Sequence, residues 1–440
     1  MAPASTNPPS RVEVSVAQPS LLPDELIQQL IAVGQVDILV AVPTLNNAAT
    51  IGAVIKTVHR GFARYFPRER TVLINSDGGS EDGTRAIVRD LAVDDADTVT
   101  VSHSLRTAHR ISTPYHGVPG KGSALRQIFA AADLLQARAV AVLDPDVTSV
   151  TPEWIRALVS PVHQHGFEFV APIYARHPLD GPLVTQLVRP LLRAASGRRI
   201  AEPQAAEFAC SGRFAAYCLE QPVWDTDLGQ FGIDLWLTVA AVMNDFRCCQ
   251  AVLGPRIVAP GTVRPGIAQT FEQVVGSLFT SLEQAVPAWL DRQGSEPLPV
   301  FGELPAPPPQ ASPIEPARLL QAFDTNLRDL QAVLGSILPP ETQSALEQAA
   351  RANTSAVRFP DDLWTATVFQ FMAAHHDAVI LREHITQALL PLYLARAGAF
   401  VLEHAHADTT SIEAALESLC LQFERAKPYL GERWVQTRQR

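Results

Sequence analysis

Short apolar runs without polar alternation recur through the first half of the chain: 37-DILVAVP-43, 71-TVLINS-76, 138-RAVAVLD-144 and 167-FEFVAPIY-174. A strand covered on both faces reads this way, whereas a half-exposed strand alternates. Stretches with a helical period stand between them, near residues 50–65, 82–91 and 122–135. A short helix is expected at 21–34, with Leu26, Ile27, Leu30 and Ile31 on one side. The segments 97-DTVTVS-102 and 248-CCQAVLG-254 read as further strands, and 182–195, 234–244 and 266–291 as helices. Strands that alternate with helices predict an α/β fold, a Rossmann-like and mostly parallel sheet covered on both faces.

Past the proline-rich stretch 297-PLPVFGELPAPPPQASP-313 the pattern turns helical, near 315–337, 341–352, 361–376, 380–405 and 410–426. This divides the chain into a polar tail at 1–20, an α/β domain at 21–292, a linker at 293–313 and an all-helical C-terminal domain at 314–440. Apolar density around 363-LWTATVFQFM-372 and 389-ALLPLYLARAGAFVL-402 exceeds that of an ordinary surface helix. It suggests self-association through this region, as a homodimer.

Composition narrows the partners. The chain has 440 residues and a net charge of −10, from 35 Lys and Arg against 45 Asp and Glu. That balance speaks against nucleic acid or an anionic membrane as the main partner, because both reward basic surfaces. The first twenty residues lack the apolar run of a signal peptide, and no stretch approaches the roughly 20 uninterrupted apolar residues of a membrane helix. The five cysteines show no paired spacing, so they read as reduced, buried thiols of a cytoplasmic protein rather than a disulfide framework or a zinc site.

Open sheets of this kind bind ligands outside the carboxyl ends of their strands, and polar residues gather there. Asp144 and Asp146 in 144-DPD-146 close an apolar strand, and two carboxylates on one turn can face a divalent cation such as Mg²⁺ or Mn²⁺. In 75-NSDGGSEDGT-84 glycines permit a tight turn before a helix, and Asp77 can accept from a base or ribose; a plain strand-to-helix connection fits equally. In 119-PGKGSALR-126 a backbone cradle and Lys121 converge on one point, suited to phosphate, although the spacing is not that of a P-loop. Glu207 and Asp234 are carboxylates in apolar settings, which require a partner or a function. The histidines show no ligand spacing on one element.

Together, 43-PTLNNAATI-51, 75-NSDGGSEDGT-84, 119-PGKGSALR-126 and 144-DPD-146 resemble the nucleotide-sugar-binding core of GT-A fold glycosyltransferases of the family 2 type. The PGKG segment and 181-GPLVTQLVRPLL-192 look like those of retaining glucosyl-3-phosphoglycerate and mannosylglycerate synthases. The resemblance spans about residues 36–280. It implies transfer of a hexose from a UDP- or GDP-sugar to a small hydroxylated acceptor such as glycerate, with retention. By the same resemblance Pro43, Leu45, Asn46 and Asp77 hold the nucleoside, Lys121 contacts the nucleotide, and Asp144 with Asp146 holds the metal diphosphate. Glu207 and Asp234 are the catalytic candidates at the sugar and acceptor, and Thr185 contacts the acceptor carboxylate.

The chain departs from the pattern in three places. Ala205-Ala206 replaces a glycine pair, Leu183 stands where an arginine contacts the acceptor phosphate, and Val258 where a histidine completes the metal site. These leave open a catalytically weakened binding protein. A sugar-nucleotide nucleotidyltransferase is a further alternative, but PTLNNAAT has neither the glycine nor the cation that such an enzyme needs after its first strand.

Overall fold

The structure is a computed structural model that describes residues 21–98, 109–114, 121–260, 266–304, 311, 315–320, 323–351 and 357–437. Its strands are β1 Ile38–Thr44, β2 Thr71–Asp77, β3 His109–Pro114, β4 Ala139–Val142, β5 Phe169–Tyr174, β6 Arg198–Arg199, β7 Phe208–Ser211, β8 Cys248–Gly254, β9 Glu296–Pro297 and β10 Val300–Phe301. Eight of them form one sheet in the order β10-β8-β5-β7-β4-β1-β2-β3, and β6 pairs with β9 apart from it. Every pair in the main sheet is parallel except those of β7, which runs antiparallel between β4 and β5.

Every residue of β1, β2 and β4 is buried, which accounts for their unbroken apolar runs. One face of the sheet is covered by the helices Ile51–Tyr65 and Pro152–His165, which bring Val54, Val58, Trp154 and Leu158 into a shared core. The other face packs against Asp24–Val33, Lys121–Leu134, Ile233–Met243 and Ile267–Gln284.

The third strand departs from expectation. Thr84–Thr98 is helical through the first two residues of 97–102, and the strand beside β2 is His109–Pro114 instead; residues 99–102 lie outside the described set. The presumed linker starts with structure, since β10 extends the sheet edge beside β8.

The C-terminal helices share a core with the sheet. Trp364, Val368, Phe369, Leu389 and Leu392 are buried in the same cluster as Leu187, Leu191, Phe271 and Phe279. The two apolar stretches that suggested self-association are thus covered by the chain itself. Among the described residues one helix, Arg382–Glu403, is long and apolar enough to cross a membrane, and most of it is buried inside the protein.

Candidate active site

The carboxyl ends of β1, β2, β4, β5 and β8 converge with the start of β7, which enters the sheet from the opposite direction. That reversal sets Glu207, immediately before Phe208, beside the end of β4, where Val142 pairs with Phe208. The connection after β8 is tied to the turn after β4: Val258 pairs with Val147, and Ala259 donates its amide to the Asp146 carbonyl at 2.9 Å. This strap carries Arg256 into the site.

Arg256 is the hub. Its Nη2 lies 2.7 Å from Asp144 Oδ2, and its Nε donates to both Glu207 oxygens at 3.1 Å. Glu207 also accepts from the Tyr174 hydroxyl. Burial works against the guanidinium charge, but Glu207, Tyr174 and Asp144 hold Arg256 firmly protonated. Burial and the adjacent Glu207 charge push the Tyr174 phenol well above its ordinary range.

A second pairing closes the opposite wall. Lys121 begins the helix Lys121–Leu134, Asp234 lies in the first turn of Ile233–Met243, and Lys121 Nζ stands 2.7 Å from Asp234 Oδ1. Lys121 also donates to the Ala206 carbonyl at 3.1 Å. The helix start packs closely enough that a Cβ on Gly122 would lie 1.8 Å from the Gly229 carbonyl oxygen, so only glycine fits. Burial raises the Asp234 carboxyl above its usual range, against the pull of Lys121.

Pro43, Leu45, Asn47, Lys121, Asp144 and Asp146 line a cavity of about 250 Å³ between these pairings. Asn47 Nδ2 donates to Asp146 Oδ1 at 2.7 Å, fixing the second aspartate to the loop after β1. A second cavity, about 160 Å³, is lined among others by Tyr174, Arg176, Thr185, Arg189, Glu202 and Glu413. The two are joined through Tyr174, Glu207, Arg256 and Asp144, each touching the next.

Pro43, Leu45, Lys121, Asp144 and Asp146 thus meet at one cavity, and Thr185 lines the other. Asn46 is a turn residue at φ 59°, bonded to Ser80 and Glu81, while its neighbour Asn47 lines the cavity. Asp77 is fully buried and accepts from Thr44, Gly79 and Ser80, so in this state it braces the turn after β2. Glu207 is also fully buried. Pro119 and Gly120 lie outside the described residues. Of the departures, Ala205 and Val258 pack against the sheet core, and Leu183 against the core on the other face. Sequence reading placed Asn47 at the ligand-binding end of the first strand without giving it a role, and missed Arg256 and Tyr174 as site residues. The available signal was a lone cation, Arg256, just past the apolar strand β8.

Four carboxylates, Asp144, Asp146, Glu207 and Asp234, face two resident cations, Arg256 and Lys121. The donor set is hard oxygen, which suits Mg²⁺ or Mn²⁺. Among the described residues no three His, Cys, Asp or Glu are placed to hold a metal by themselves. An ion bound by one or two carboxylates and completed by phosphate and water, the usual habit of Mg²⁺, still fits the DPD turn.

Residues 39–218 match the glycosyl transferase family 2. Solved structures that resemble the chain include glucosyl-3-phosphoglycerate synthase from Mycobacterium tuberculosis in complex with Mn²⁺, UDP and phosphoglyceric acid. It is 24% identical, with 58% of this chain and 82% of that chain covered and a TM-score of 0.41. The same synthase with phosphoglyceric acid alone gives 24% identity, 59% and 85% coverage and a TM-score of 0.41. A mycobacterial protein gives 22%, 60% and 80%, and 0.41. No curated protein matches the sequence. The family match supports a glycosyltransferase, in agreement with the motifs.

Proposed function

We propose that this chain, whose residues 39–218 carry the family 2 match, transfers a hexosyl group from a UDP- or GDP-sugar to a small hydroxy acid such as glycerate, with retention at the anomeric carbon. The observation that carries this reading is the pair of cavities joined through Tyr174, Glu207, Arg256 and Asp144. The cavity at the DPD turn takes the donor, and the cavity at Thr185 takes the acceptor.

Pro43 and Leu45 flank the nucleoside. Lys121 and Arg256 neutralise the diphosphate, aided by the positive end of the helix that Lys121 begins. Asp144 and Asp146 would hold Mg²⁺ or Mn²⁺, which supplies Lewis-acid stabilisation of the leaving diphosphate. Asp234 accepts from a hydroxyl of the donor sugar. Glu207 holds Arg256 in place and acts through it, because it has no exposed surface of its own. Thr185 donates to the acceptor carboxylate.

In the chemical step the bond from C1 to the diphosphate oxygen breaks and a bond from C1 to the acceptor hydroxyl forms on the same face. The hydroxyl proton passes to the departing diphosphate oxygen. The protein's largest contribution is preorganised charge where the leaving group becomes anionic.

The test is transfer by the full chain from UDP- and GDP-hexoses to glycerate, with Mg²⁺, Mn²⁺ or chelator, and anomeric assignment of the product by NMR. A metal-stimulated α-to-α product supports the reading. Val258, packed in the core beside the DPD turn, favours one second reading, a weakened protein that binds donor without turnover. Nucleotide binding without transfer or donor hydrolysis would select it.

A further inference from the structure

The acceptor cavity is built only partly by the α/β domain. Thr185 lies in a π-helical turn, Val184–Val188, which inserts one extra residue before the helix Arg189–Ser196. Such turns are uncommon and cluster at functional sites. Here the C-terminal helices grip the turn. Gln186, fully buried, accepts on its carbonyl from Trp364 Nε1 at 2.6 Å and on its side chain from Arg396 Nε at 2.9 Å. Arg396 is itself buried, and it also donates to Asp361 at 2.6 Å and to the Phe359 carbonyl.

The last helix, Thr409–Thr437, adds to the wall. Arg193 holds it through Glu417 at 2.6 and 2.8 Å and through Glu424 at 2.6 Å. That docking brings Glu413 and Leu416 to the cavity. Within the cavity Arg176 faces the buried Glu202 at 3.4 Å, and Arg189 spends Nε and Nη2 on the Ala201 carbonyl. With Asp180 and Glu413, three carboxylates oppose two guanidiniums.

We propose that the C-terminal helical region is part of the acceptor site. The Gln186–Trp364–Arg396 clamp positions Thr185, and Glu413 is a specificity residue that admits a singly charged hydroxy acid and disfavours a phosphorylated one. This rests on the acceptor cavity assigned above. The physical basis is the charge count: one guanidinium suffices for a carboxylate, whereas a dianionic phosphate adds a second charge beside Glu413 and Asp180, in a cavity where two guanidiniums already face three carboxylates.

The test is calorimetric titration of the full chain with D-glycerate and with 3-phosphoglycerate, in the presence of UDP or GDP. Glu413→Lys changes a residue exposed at the rim, so the fold is retained. It should shift the affinity ratio toward 3-phosphoglycerate at least tenfold and leave nucleotide affinity within about twofold. Arg396→Lys keeps the charge but loses the fork, and should weaken both acids while sparing the nucleotide. A ratio unchanged in Glu413→Lys overturns the proposal, as does nucleotide affinity lost alongside the acids in Arg396→Lys. If the wild type binds nucleotide but neither acid at millimolar concentration, the cavity reading itself fails first.

Discussion

Arg256→Met isolates the electrostatic hub. Methionine replaces most of the apolar stem and removes the charge. Glu207 has a side chain only 1% exposed, against 16% for Arg256 and 23% for Asp144. It therefore carries the consequence, because Asp144 can turn to solvent. Removing one partner of a buried pair costs about 3–5 kcal/mol. Urea unfolding at pH 7 should show the variant less stable by about 3–5 kcal/mol. Adding Glu207→Gln, which removes the orphaned charge, should recover much of that loss. A difference under about 1 kcal/mol, or no recovery in the double variant, refutes the assignment of Glu207 as a charge held by Arg256.

Asp146→Ala should abolish transfer with little change in melting temperature, since this carboxylate sits on a turn; turnover above about a tenth of wild type, roughly 1.4 kcal/mol, would remove the DPD turn from the metal's coordination. Lys121→Ala should raise the donor KM more than the acceptor KM in steady-state assays, and the reverse would place Lys121 in the other cavity. Burial raises all five thiols, Cys248 to about 12, so the folded chain keeps protons that the unfolded chain sheds. Stability should therefore fall above about pH 9 by up to about 1.4 kcal/mol per thiol per pH unit, against the opposing pull of Lys427, which burial depresses to about 8; melting temperatures equal at pH 8 and 10 would contradict this. A chain ended near Pro297 should fail to fold and should bind hydrophobic dye, because Phe271 loses its stack on Tyr393 and Phe279 its edge contact with His375; a monodisperse, protease-resistant fragment would show that the α/β domain stands alone.

The sheet was legible where burial on both faces leaves an unbroken apolar run, as in β1, β2, β4, β5 and β8, and where a helix follows at a regular interval. It was illegible where the local pattern is weak. The four residues of β7 are too few to show a period, and their antiparallel direction is set by neighbours rather than by their own sequence. The alternation in 97-DTVTVS-102 imitates a strand, yet its first residues complete the helix Thr84–Thr98. The proline-rich stretch has the composition of a linker, but composition does not report what packs across it, and the helices beyond it share the core of the sheet.

The site divides along the same line. Residues at strand ends, Pro43, Asp144 and Asp146, were readable because topology alone brings them together. The pairings that give them chemistry join distant parts of the chain: Lys121 with Asp234, Arg256 with Asp144 and Glu207, Gln186 with Arg396. No local pattern encodes such a pair, and only the requirement that a buried carboxylate find a counter-charge foreshadowed it. That requirement identified Glu207 and Asp234 as residues needing partners without saying which. For Glu207 the partner is a guanidinium at the junction of the two cavities; under the proposed function, a charge fixed there before a donor arrives needs no reorganisation when the diphosphate leaves.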